Sequence, residues 1–294
     1  HMSVKLMVDS ACDIARDEVV ASGAAFLPLH VRMGERDYLD GVDLTHEEFY
    51  ARLTQGKEQP MTSQIAPGFF EGAFRRSLAK DEEVVCLTVS SGLSGTCASA
   101  LMARDQLPVH ERGRVHIVDS ENVSIGEQVL FRYAMRCLGQ GMGASELVEE
   151  LNMRKQVVRV FALLDTLEYL RRGGRISAVT AAAGTLLNVK PIVAVEAGAI
   201  VSVGKARGAK AGRVQLTRLV EGEGGIDLAM PCVVAYSGTD DSAMRDFLRG
   251  SASLFGVDPA DEAGLASVPT SGIGATIGTH VGPGAIGVAF FARG

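Results

Sequence analysis

Residues 90–96 read Ser-Ser-Gly-Leu-Ser-Gly-Thr. These four hydroxyls and two glycines lie between the apolar run 83–89 and the helix-like stretch 97–102. Glycine at 92 and 95 lets a guest approach the backbone closely. The helix that follows offers unpaired N–H groups and a partial positive charge. Together these features suit a small anionic group. Plain capping of the helix by Ser94 or Thr96 is the competing explanation. A nucleophilic serine is disfavoured, because Gly92-Leu93-Ser94-Gly95-Thr96 lacks the closing glycine of G-x-S-x-G.

Two more stretches carry candidate chemistry. Met61-Thr62-Ser63-Gln64 reads as an extended lead-in to a helix that starts near Pro67, and its hydroxyls can serve local backbone groups or a ligand. Gly278-Thr279-His280-Val281-Gly282-Pro283-Gly284 places a histidine in a glycine-rich turn before the last strand. Its imidazole can donate to an acid oxygen. Basic residues concentrate at 170–175 and 205–213, in the second half of a chain whose net charge is -6. A docking face for an anion or an acidic partner competes there with ordinary solvated surface.

The elements that must position these residues follow from periodicity. Residues 4–8, 83–89 and 114–118 read as buried strands ending in Asp9-Ser10, Ser90-Ser91 and Asp119-Ser120, with helices between them. Such alternation predicts a parallel α/β sheet, and the polar strand ends mark its carboxyl edge, where open sheets take ligands. Gly34-Glu35 predicts a hairpin of 30–33 with 36–39. Thr45-His46-Glu47-Glu48 is a capping box opening a helix over about 46–53. A second unit begins near 157, with a hairpin around 196–198, helices near 212–221 and 241–254, and a final strand to Phe291. This predicts a mixed or antiparallel sheet under helices. The expected fold class is therefore α/β with two domains, 1–157 and 158–294.

Bulk properties exclude several classes. A 47% hydrophobic chain of 294 residues builds a substantial core. No apolar run nears the roughly 20 residues that span a bilayer. His1-Met2 reads as an expression remnant with no signal segment after it, so a cytoplasmic location is expected. The acidic balance, few aromatics and absent Trp argue against nucleic acid. Five cysteines, none in C-x-x-C, suit a reducing compartment, and neither metal-ligand spacing nor a nucleotide motif is present.

Taken together, Val8-Asp9-Ser10, Thr62-Ser63-Gln64, Ser90 to Thr96, Val118-Asp119-Ser120, Leu167 to Ile176 and Gly278 to Gly284 resemble the DegV family of bacterial fatty-acid-binding proteins. The motifs span nearly the whole chain. The resemblance implies a two-domain carrier, not an enzyme, holding one long-chain fatty acid such as palmitate or oleate between its domains, with no cofactor or metal. It places the carboxyl group at Thr62, Ser63, Ser94, Gly95 and His280. It implies presentation to a fatty acid kinase that feeds phospholipid metabolism, with docking through Arg171, Arg172 and Arg207, and transient contact with a membrane surface. One departure is Ile65-Ala66-Pro67, where relatives often place proline directly after T-S-Q. Burying about fourteen methylenes at ~0.8 kcal/mol each gives on the order of 11 kcal/mol before costs. Two or three head-group bonds then suffice, with no buried arginine needed as a clamp. The tail is expected against Phe, Leu, Ile, Val and Ala. Two other readings remain: an enzyme acting on a small phosphorylated or acylated metabolite, and a lipid-responsive regulator.

Overall fold

The computed structural model describes residues 2–176 and 188–293. Its strands are β1 (Val4–Asp9), β2 (Ala25–Leu27), β3 (His30–Met33), β4 (Arg36–Leu39), β5 (Met61–Ser63), β6 (Glu83–Thr88) and β7 (Val115–Asp119). Then come β8 (Val158–Leu163), β9 (Val189–Glu196), β10 (Ala199–Arg207), β11 (Val233–Tyr236), β12 (Thr270–Gly272) and β13 (Ile286–Phe291).

The order β2-β1-β6-β7 makes a parallel sheet. Val84 to Leu87 of β6 are fully buried, which is why this strand reads as an unbroken apolar run. The order β10-β9-β8-β13-β11-β12 makes the second sheet, antiparallel except for β11 with β12. The α/β class and the mixed second sheet match the sequence expectation. The helix Ile125–Gly139 packs on strands of both sheets and is buried over most of its surface. One apolar core accordingly joins Val8 and Leu87 to Val160, Ala235 and Phe291.

A third sheet, β4-β3-β5, carries the first site segment. The hairpin turns at Gly34 in the left-handed region. Thr62 of β5 lies opposite Val31 of β3. The lead-in of the sequence reading is thus an edge strand, held by backbone pairing that residue types alone do not encode. The N-cap of the Thr45 to Glu48 motif forms: the Glu48 N–H donates to Thr45 Oγ1 at 3.1 Å at the start of the helix His46–Gln55. Pro67 opens the helix Pro67–Leu78.

Two expectations need correction. His280 is not in a turn but on the helix Ala275–Val281. Gly278 suggested a turn, yet a Cβ there would lie 2.7 Å from Phe49 and from the Tyr50 hydroxyl. The glycine marks a close helix contact. After the first strand, Asp13 takes a left-handed conformation between the 3-10 turn Ser10–Cys12 and the helix Arg16–Ala21. The helix expected over 241–254 ends at Gly250 and is followed by the 3-10 turn Ala252–Phe255. Among the described residues no helix is long and apolar enough to cross a membrane.

Candidate functional site

Between the two large sheets lies a cavity of about 420 Å³, within the range of ~300–1,000 Å³ common for small-molecule sites. Its apolar wall is supplied by Val89, Val123 and Ile125 on one side and by Val160, Leu164 and Val193 on the other. Among the described residues no phenylalanine lines it, contrary to expectation. Phe70, Phe74, Phe247, Phe290 and Phe291 fill the solid cores instead.

Thr62, Ser63, Ser94, Gly95 and His280 all line this one cavity. β5 brings Thr62 to the helix Ala275–Val281, and Thr62 Oγ1 lies 2.8 Å from His280 Nε2. His280 Nδ1 is buried without a partner. A buried N–H left unpaired costs more than a bare lone pair. The imidazole therefore carries its hydrogen on Nε2 and donates it to Thr62, and Thr62 keeps its own hydrogen to donate. Burial, with a smaller push from the Arg175 charge, lowers the His280 pKa to about 4, so the ring is neutral near pH 7. The helix Glu168–Gly173 runs past the ring at Gly173, where a Cβ would sit 2.2 Å from Nδ1.

Ser94 is arranged to the same effect. The Ile65 N–H donates to Thr96 Oγ1 at 3.4 Å, and Thr96 Oγ1 lies 2.9 Å from Ser94 Oγ. Ser94 Oγ also accepts the Thr96 N–H at 3.1 Å. Thr96, fully buried, gives its hydrogen to Ser94, and Ser94 retains its own. Capping and ligand binding, which compete in the sequence, are therefore compatible here. Two hydroxyls, each with a free hydrogen, face a cavity whose remaining lining is mostly apolar. Such a set can hold the oxygens of an anion.

Arg175 was not among the expected site residues, yet it lines the cavity. Its Nη1 donates to the Gly173 carbonyl at 2.6 Å and its Nε to the Leu93 carbonyl at 3.3 Å. A guanidinium therefore shares the cavity wall with the hydroxyls and the imidazole. The run Arg171-Arg172-Gly173-Gly174-Arg175 contained the signal, and the left-handed Gly174 turns its last member inward.

The acidic strand ends do not face the cavity as ligand contacts. Asp9 accepts the N–H groups of Ala11 and Val89 at 3.0 and 2.6 Å, and Ser10 accepts the Leu29 N–H at 2.9 Å. Asp119 accepts from Ser91 and Glu121. These side chains hold the loops in place. Among the described residues no cluster of three or more His, Cys, Asp or Glu is placed to hold a metal.

The sequence model described as an uncharacterised protein of the DegV family matches residues 3–293. The chain belongs to the DegV family. A DegV domain-containing protein of Caldanaerobacter subterraneus subsp. tengcongensis is 32% identical over 287 residues, covering 98% of each chain. Among solved structures, a DegV-family protein of Thermus thermophilus described for its fatty acid binding superposes with a TM-score of 0.85 at 28% identity, covering 99% of this chain and 100% of that one. A stearic-acid-binding protein of Eubacterium ventriosum superposes with a TM-score of 0.83 at 26% identity, covering 98% of both chains. DegV relatives of this fold are thus described as fatty-acid-binding proteins.

The charged residues assigned to docking lie apart from the cavity lining. Arg172 Nε donates to Glu168 at 3.1 Å, and Arg171 also contacts Glu168. Arg207 is exposed at the end of β10, beside Lys210 and Arg218 along an open groove.

Proposed function

We propose that this DegV-family chain is a non-enzymatic carrier. It binds one long-chain fatty acid, of the palmitate or oleate type, and presents the carboxyl group to a fatty acid kinase. What supports the reading is a single, mostly apolar cavity whose lining includes Thr62, Ser94 and His280, with Thr62 bonded to His280. The carboxylate accepts from the Thr62 and Ser94 hydroxyls, with Ser63 and the loop backbone at Gly95 beside them. Arg175 adds positive charge nearby.

The proposal includes a division of labour. Residues 1–157 carry the head-group loops, and residues 158–294 cover the acyl chain. Arg207, Arg171 and Arg172 form the kinase-facing side, the location is cytoplasmic, and membrane contact is transient. Fluorescence titration with palmitate and oleate tests the core claim. Ser94→Ala should weaken binding by about tenfold, the effect of one hydrogen bond to a charged group. A protein that binds neither acid refutes the reading. Arg207→Glu should leave acid binding unchanged and reduce acyl phosphate formation by a fatty acid kinase several-fold. Equal turnover by both proteins would remove Arg207 from the docking surface.

A further inference from the structure

The cavity ends against a thin wall. A second crevice of about 330 Å³ lies behind it, and Val160, Ala194 and Val195 line both spaces. The crevice is charged: Lys155 Nζ is 3.5 Å from Glu121, and Arg159 Nε is 2.9 Å from Glu223. Its lining also includes Asn122, whose Oδ1 is buried without a partner. An apolar space and a polar one are therefore separated by single side chains.

Strand geometry sets the direction. Residues two apart on a strand share a face, and Leu164, Ala162 and Val160 all line the cavity along and just beyond β8. Leu164 clusters with Leu170, on the helix that brings Gly173 against His280. Leu164 thus marks the head-group end. Val160, four residues back at ~3.3 Å per residue, lies roughly 13 Å further in. The backbone of Gly126 abuts it: a Cβ there would be 2.6 Å from Val160 Cγ2. With Gly126 behind it, the valine has little room to move.

We infer that Val160 sets the length of acyl chain this protein accepts, as the stop for the methyl end. The inference rests on the fatty-acid reading above. Every methylene buried before the stop strengthens binding roughly fourfold. A chain that passes it enters a crevice of ion pairs and gains nothing from burial. Val160→Ala lowers the wall and lets longer chains extend. Val160→Leu brings the stop nearer the head group.

Dissociation constants for laurate, myristate, palmitate, stearate, arachidate and behenate test this. For the wild type, affinity should climb with length and then level off at one acid. The levelling should move to a longer acid in Val160→Ala and to a shorter one in Val160→Leu, with myristate or laurate still bound by both. An unchanged levelling point in Val160→Ala, with thermal unfolding showing a folded protein, overturns the inference and leaves the fatty-acid reading standing. That variant decides the matter alone if the leucine variant does not fold. A wild type that binds no acid overturns both.

Discussion

Gly173→Ala is expected to weaken fatty-acid binding by about 10- to 100-fold, although the added methyl belongs to no proposed carboxylate contact. Its Cβ would lie 2.2 Å from His280 Nδ1 and 2.7 Å from Cε1, far inside any tolerated approach. The ring has little room to retreat. Its helix is pinned at Gly278 against Phe49 and Tyr50, and the Tyr50 hydroxyl donates to the Ile273 carbonyl at 2.7 Å. The imidazole must rotate, which breaks the 2.8 Å bond to Thr62. Thr62 then loses the partner that orients it as a donor, and a hydrogen bond to a charged group is worth roughly 1.5–3 kcal/mol.

Alanine is otherwise favoured over glycine in a helix, so the fold itself should lose little. The discriminating measurement is a double-mutant cycle by calorimetric titration. Once His280 is alanine, Gly173→Ala should have almost no further effect on affinity. If Gly173→Ala binds palmitate as tightly as the wild type, the imidazole is not what orients Thr62, and the head-group scheme is wrong.

Local signals wrote much of this molecule plainly. The Thr45 to Glu48 cap, the Gly34 turn and the buried run of β6 each depend on neighbours in sequence, and each forms where expected. The site segments were legible as polar stretches in odd places, and the cavity gathers Thr62, Ser94 and His280 from them. What residue spacing hid was tertiary. Glycines 173 and 278 look like turn residues, but their missing side chains admit an imidazole and two aromatic rings from elsewhere in the chain. Asp9 and Ser10 look like ligand contacts, but they satisfy backbone N–H groups up to 80 residues away. Arg175 looked like one more surface cation until Gly174 turned it inward.

The buried acids make the second large prediction: the protein loses stability as pH rises from about 4 to about 8. Burial, opposed in part by hydrogen bonds, raises the Asp9 pKa to about 6 and the Asp13 pKa to about 8. It also raises Asp40, and it moves Glu127 well up. Asp9 already accepts two backbone N–H groups, so of the two coupled buried carboxyls it is Glu127 that keeps its proton. Asp13 accepts from Ser124 at 2.6 Å and Gly274 at 2.9 Å, and Asp40 accepts from Thr276 at 2.6 Å.

The sign follows from proton binding. Above about pH 4, where unfolded carboxyls ionise, the folded chain holds protons that the unfolded chain has released. The stabilisation present below that pH is lost at roughly 1.4 kcal/mol per pH unit for each such group, until its folded pKa is passed. Asp9 stops contributing near pH 6 and Asp13 near pH 8. His280 shifts the opposite way and adds stability between about pH 4 and 6.5, offsetting one of these carboxyls there, whereas the surface groups Asp240 and Glu262 act below this window. Urea unfolding between pH 5.5 and 8 should show the midpoint falling steadily. Asp13→Asn should flatten the slope, because an amide cannot ionise and its oxygen still accepts one of the two hydrogen bonds. A wild-type midpoint that holds level across that range would mean these carboxyls are already ionised in the folded state. Ser124 and Thr276 line the cavity while bonded to Asp13 and Asp40. Loss of those protons would therefore place negative charge behind the cavity wall, and affinity for an anionic ligand should fall over the same range.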